Sequence, residues 1–188
     1  MTIDDSSLSS RLSPVPRQDW DDDIVQMIDG ARVGPVHPSD LLATFAHNSG
    51  LLRRWVPFGS RLIYRSSLKD RERELLILRT AWNTGCGYEW NSHTSVARGI
   101  GLSDSEITSV ADGPGSSEWD PFDSSLLQAA DELYTTSRVS DTVWSMLETR
   151  LSKRQLVEVP ILVGNYTMIA YLVNCSQMGE ERIALNGS

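Results

Sequence analysis

Read from its N-terminus, the chain is polar first and apolar at helical spacing later. Residues 1–19 are rich in Ser, Asp and Pro with little apolar content, and read as a flexible or surface-draped arm. From residue 20 onward apolar side chains recur three and four positions apart, and no segment alternates as a strand does. "WDDDIVQMIDGARVG" (20–34) predicts a short helix, with Asp21, Asp22 and Asp23 at its positive end and Gly30 or Gly34 as its stop. Ser39 or Asp40 caps the next, which carries Leu41, Leu42, Phe45 and Ala46; Asn48-Ser49-Gly50 breaks it and Pro57 ends the turns that follow. "LKDRERELLILRTAWNTG" predicts a strong helix, acidic in its first turns and apolar from Leu75 to Trp82. Gly85 and Gly87 flank Cys86 and permit a turn into a second helix over 88–98, stopped by Gly99 and Gly101. Ser103 and Glu106 have capping-box spacing and open a short helix. After the turn-forming loop "DGPGSSEWDP", an amphipathic helix carries Leu126, Leu127, Ala130, Leu133 and Tyr134 on one side. Another is capped near Ser140 or Asp141, and a long apolar helix over 153–178, with Pro160 near its first turns, completes the chain.

The expected architecture is all-α: one domain over residues 20–188 behind the arm. A faint repeat runs through it. "LKDRERELLILRTAWNTGC" and "LSKRQLVEVPILVGNYTMIAYLVNC" both begin with Leu, two polar residues, Arg and a polar residue before an apolar helix.

Charge narrows the function. The formal net charge of -8, from 25 acidic and 17 basic residues, argues against a nucleic-acid partner and against an anionic membrane surface. A small anionic substrate stays open, because a pocket needs only one or two local cations. Two widely separated cysteines are no disulfide framework, and with a polar, leaderless N-terminus they point to a reducing, cytoplasmic setting. The longest apolar stretch contains Glu158, Pro160, Gly164 and Asn165, and reads as a buried helix rather than a membrane span.

The chemistry concentrates in "WNTGCGYEWNSH". On a helix, Cys86, Glu89 and His93 project to one side, and Trp90 and Ala97 extend that stripe. A carboxylate and an imidazole on an apolar stripe must be paired or hydrogen-bonded. Burial raises a carboxyl pKa and a nearby imidazolium lowers it, which suits proton transfer near neutral pH. A cysteine at a helix N-terminus tends toward thiolate, so Cys86 is a nucleophile or a polarising group. The bland alternatives are a surface Glu–His pair and a small core cysteine. One His, one Cys and one Glu, with His37 and His47 at unhelpful spacing, do not make a metal site, and none is expected. Trp55, Phe58 and Tyr64 read as packing residues, and Cys175 as a core residue of the last helix.

The stretch "RERELLILRTAWNTGCGYEWNSHTSVARGIGLSDSEI" (71–107) resembles the carboxymuconolactone decarboxylase family, which includes the alkylhydroperoxidase D group. "RQLVEVPILVGNYTMIAYLVN" is similar to the family's second helical segment, and residues 37–68 match more loosely. The resemblance implies an all-α fold and a homo-oligomer: trimer, hexamer or dimer. It aligns Glu74, Cys86 and His93 with the Glu, first Cys and His of the peroxidase branch. There, Glu and His relay a proton to a second Cys, and Glu89 occupies that second position here. Disulfide turnover therefore lacks its resolving thiol.

The resemblance leaves an acid/base site of Glu74, Glu89 and His93 with Cys86 beside them, and Tyr88, Trp90 and Asn91 assigned to substrate binding. The implied function is cofactor-free acid/base chemistry of the lyase type on a small carboxylated or cyclic metabolite. Arg53, Arg54, Arg61 and Arg65 are the candidates to hold a substrate carboxylate. The alternatives are a thiol-dependent peroxidase working through Cys86 and a non-catalytic binding protein on the same scaffold.

Overall fold

The structure, a computed structural model, describes residues 10–30, 40–178 and 183; Gly34, His37 and Ser39 lie outside the described residues. Its helices are α1 (Asp22–Gly30), α2 (Asp40–Phe45), α3 (Ser49–Tyr64), α4 (Asp70–Asn83), α5 (Gly87–Gly99), α6 (Asp104–Asp112), α7 (Pro121–Thr136), α8 (Asp141–Glu148) and α9 (Lys153–Ser176). No strand occurs among the described residues. The class is all-α, as the periodicity predicts.

The ends of these helices are set by local chemistry. At α4, the Glu72 carboxylate turns back to accept the Lys69 N–H at 2.9 Å. Gly85, at φ 62°, takes the left-handed turn that lets the chain reverse from α4 into α5. The box at α6 is reciprocal: Ser103 Oγ accepts the Glu106 N–H at 3.1 Å and Glu106 accepts the Ser103 N–H at 2.8 Å. Asp120 caps α7 by accepting the N–H groups of Phe122 and Asp123, with Pro121 at the first helical position.

One expected boundary is wrong. Asn48 does not simply break the chain but caps α3, its side chain accepting the Leu51 N–H at 3.1 Å, and Pro57 lies inside α3 instead of ending it. An internal proline costs about 3 kcal/mol. Val56, Gly59 and Leu62 are buried on either side of it, and their packing is what the helix would lose by stopping there.

α4 is the central element. It packs against α5, α7 and α9, and against α6 as well. Arg79 fastens it to α7 through two bonds to the Asp131 carboxylate, at 2.6 and 2.9 Å. Around α4 lies the larger apolar core, which includes Leu75, Leu78, Leu126, Leu127 and Leu162. A second cluster joins α1, α2 and α3 to the C-terminal half of α9, with Trp20, Ile24, Leu52 and Ile169 among its members. The described part of the arm lies along this second cluster. Arg11 N–H reaches Ser176 O at 2.8 Å, and Val15 N–H reaches Ala43 O at 3.1 Å.

Two faces of α9 differ. Leu156, Val159, Leu162, Val163, Tyr166, Ile169 and Ala170 are buried, while Val157, Ile161, Met168 and Tyr171 are exposed. α9 is long and apolar enough to cross a membrane by length and composition, and half of its most apolar window (50%) is buried in the bundle, as in a core helix. Cys175 is on the exposed side, not in the core as expected. At 24 residues the helix turns more of its surface outward than its hydropathy alone implies.

Candidate active site

A cavity of about 640 Å³ opens where the two apolar clusters meet, with walls from α1, α2, α3, α4, α5 and α9. Its volume is that of a small-molecule site. Glu74 and Arg73 reach it from α4, and Glu89 and His93 from α5. Helix geometry sets this up: Glu89 and His93 are one turn apart on the buried face of α5, and the tight α4–α5 turn lays that face against Glu74.

The polar groups form a chain. His93 Nδ1 lies 2.6 Å from Glu74 Oε2. The other Glu74 oxygen accepts from Arg73 Nε at 3.0 Å, and Arg73 Nη1 donates to Asp70 at 2.6 Å. With one Glu74 oxygen taken by Arg73, the geometry suits an Nδ1–H donated to the other. His93 Nε2 faces Glu89 Oε2 at 3.5 Å, too far for a good hydrogen bond. The edge-to-face contact with Tyr166, 5.0 Å between ring centres, fixes the plane of the imidazole. Of the five titratable residues of this network in the described wall, all but Asp70 are buried: Glu74 at 0%, Glu89 at 4%, Arg73 at 7% and His93 at 8% exposure.

Burial and charge then work on each group. Burial pushes the Glu89 carboxyl above its ordinary range; His93 pulls it down and Glu74 adds to the rise. For His93, burial opposes the imidazolium, but the bond to Glu74 and the charges of Glu74 and Glu89 outweigh it and carry the pKa upward. Both directions favour the proton: His93 holds it more tightly than a free imidazole, and Glu89 is more basic than an ordinary carboxyl.

Cys86 behaves differently from the thiolate expected of it. It caps α5 in extended conformation, is fully buried, and packs in the second apolar cluster instead of lining the cavity. Burial pushes its thiol up to about 11, the charge of Glu89 adds to this, and the N–H groups of Glu89 and Tyr88 pull the other way without winning. At that value roughly one molecule in ten thousand carries the thiolate at neutral pH.

The other expected contacts divide. Tyr88 lines the cavity; Trp90, only 2% exposed, does not, and packs against Trp82 at 5.5 Å between rings. Asn91 is half-buried and outside the lining. Trp55 and Tyr64, read as packing residues, are both in the wall, Trp55 donating to Asn165 at 2.9 Å. Arg53, Arg54, Arg61 and Arg65 do not line the cavity, and Arg53 is taken up by Asp21 and Asp23. Sequence reasoning missed Arg73, Tyr166 and Asn165. The Arg73-Glu74 pair in a helix whose flanks are apolar was a usable signal; nothing local marked Tyr166 or Asn165. Among the described residues no group of three or more His, Cys, Asp or Glu side chains is arranged to hold a metal ion.

Comparison with known proteins agrees with the resemblance read from residues 71–107. The model of the carboxymuconolactone decarboxylase family matches residues 50–132, the segment that holds α4 and α5 entire. No curated protein matches the chain. Similar solved structures include the alkylhydroperoxidase AhpD core of an uncharacterized peroxidase-related protein from Ralstonia eutropha, at 20% identity and TM-score 0.72, covering 89% of this chain and 91% of that one. An uncharacterized peroxidase-related protein from Silicibacter sp. aligns at 15% identity and TM-score 0.66 over 77% of this chain and 78% of its own. A protein of unknown function from Agrobacterium tumefaciens, with a suggested AhpD antioxidant-defence role, aligns at 19% identity and TM-score 0.64 over 71% and 93%. At these identities the likeness is one of fold, and the fold is AhpD-like.

Proposed function

We propose, from a chain whose residues 50–132 match the carboxymuconolactone decarboxylase family, that the cavity is the active site of a cofactor-independent acid/base enzyme of the lyase type. One observation carries this reading: the buried Glu74–His93–Glu89 chain brings an imidazole and a carboxyl to the wall of the same cavity. Glu74 orients His93 and supports its positive charge. Glu89 removes a proton from a substrate carbon or oxygen, and His93 Nε2, free of a short bond to Glu89, delivers one to the oxygen or carbon that gains charge. Arg73 holds Glu74 in place from behind, so Arg73 and Glu74 are positioning residues and Glu89 and His93 the catalytic pair.

Peroxidase chemistry has less support. Its thiol is buried away from the cavity, held protonated, and has Glu89 where a second cysteine would stand. The homo-oligomer and the cytoplasmic setting remain proposals of the sequence, for light scattering and cell fractionation to decide.

The direct test is solvent exchange. Small carbon acids are incubated in D2O with wild type, His93→Gln and Glu89→Gln, and deuterium uptake or product is followed by proton NMR. Either substitution is expected to slow turnover by about 10²–10⁴-fold. Unchanged turnover in both variants overturns the reading, and a ligand that binds but never exchanges or reacts in wild type favours the non-catalytic scaffold.

A further inference from the structure

The charges around the cavity bear on what it takes in. Arg73 is the one Lys or Arg among the described lining residues, and its guanidinium is bonded to Asp70 and to Glu74. The acids of the same wall are Asp70, Glu74 and Glu89. His93 is the remaining group that can carry positive charge, and it is already paired with Glu74 at 2.6 Å. A bound carboxylate would thus give up its water beside three acidic side chains with no uncommitted cation to receive it, which is the costly way to bury a charge. The rest of the wall is mainly apolar or aromatic, with Leu42, Val56, Ile63, Val96 and Ile169 from four different helices.

We infer that the substrate is an uncharged, largely apolar molecule with a single carbonyl-type polar group, its apolar body against α2, α3 and α9 and its polar end at Glu89 and His93. The inference rests on the acid/base reading for the orientation of the ligand but not for its class. It replaces the carboxylated metabolite implied by the resemblance, for which the structure supplies no free arginine in the described wall. Protonated His93 stabilises an oxygen that gains negative charge as Glu89 takes the α-proton. The proton leaves carbon as the electron pair shifts to oxygen; the enolate then either regains the proton from Glu89, which is exchange, or expels a group from its β-carbon with that bond's electron pair, which is the lyase outcome, without any co-reactant. An apolar wall keeps water from that enolate.

The test is binding, which does not require turnover. Titration calorimetry compares methyl heptyl ketone, nonanoate and nonylamine, matched in carbon number, with wild type and with Val96→Trp, which fills the cavity; Ile63→Trp serves if that variant does not fold. The ketone is expected to bind on the order of a hundredfold more tightly than nonanoate. The tryptophan variant should lose ketone binding while retaining its helical circular dichroism. Nonanoate or nonylamine binding as tightly as the ketone overturns the inference, as does ketone binding unaffected by the filled cavity or absent from wild type. The two proposals fail separately. A ketone preference with exchange unaffected by His93→Gln sinks the mechanism and leaves the substrate class; His93-dependent exchange with a carboxylate preference does the reverse.

Discussion

α4 and α9 begin alike and end in opposite environments. Each follows a buried leucine, Leu68 or Leu151, and a glutamate or glutamine of the first turn, Glu72 or Gln155, turns back to the residue before the helix. α4 then carries its charge inward, with Glu72, Arg73 and Glu74 buried among its leucines. α9 has no charged residue after Glu158, yet leaves Val157 at 67% and Tyr171 at 60% exposure. The helix with more charge is thus the more completely buried. An isolated buried charge is unaffordable in an apolar core, so α4 retains its charges only as a connected chain, Asp70–Arg73–Glu74–His93, that satisfies each member. That is the signature of a site. An apolar residue left in water has no comparable penalty at any one position, and α9 accumulates several.

The largest effect that would break this contrast is at Glu74. Glu74→Ala leaves Arg73 and His93 buried without their shared partner, and is expected to cost about 3–5 kcal/mol in urea denaturation. The matching change on α9, Val157→Ala, should cost no more than about 0.5 kcal/mol. Equal losses at the two positions would remove the distinction.

The pH dependence sharpens it. Because the folded pKa of His93 is raised, the folded chain holds that proton more tightly than the unfolded chain. The stability this gives is complete below the unfolded histidine value, about 6.5, and is lost as pH rises through the folded value. Glu89, raised as well, acts with the same sign from lower pH: folding favours its neutral form, and the cost of ionising it in place grows above the ordinary carboxyl range. The urea midpoint should therefore fall between pH 5 and 9 in wild type and fall less in a Glu89→Gln/His93→Gln double variant. A midpoint that rises over this range contradicts the assignment.

The two thiols offer a smaller test. A maleimide is expected to label Cys175 within minutes and Cys86 only on unfolding, and hydroperoxide should leave Cys86 unoxidised in the folded protein. Cys86→Ala should cost about 1 kcal/mol from a small cavity and leave turnover near that of wild type. Smallest of all, Ile161→Glu with Tyr171→Glu should move the stability of the isolated chain by less than about 0.5 kcal/mol. Light scattering of that variant shows whether a homo-oligomer, if present, uses this face: a fall in mass places the contact on α9, and an unchanged mass places it elsewhere.

Most of the helices are legible in the chain alone, because caps and apolar periodicity are local. Ser103 with Glu106, Asp120 with Pro121 and the glycine turn at Gly85 act within a few residues of where they stand. The sequence also determined that Glu89 and His93 share a face, since four residues make one helical turn, and the family resemblance added Glu74. What it left to the tertiary structure is everything that depends on which faces meet. Cys86 shares the helical spacing of Glu89 and His93, but the cap residue is extended, so its thiol enters a different apolar cluster and loses the charge that its position predicts. Pro57 is tolerated because the packing of Val56, Gly59 and Leu62 outweighs one lost hydrogen bond. Tyr166 comes to His93 from more than seventy positions away, and Arg73 is committed to acids on its own helix, leaving the described cavity without a free arginine. Spacing is a property of one helix; desolvation and pairing belong to the space between helices, and that space exists only in the folded chain.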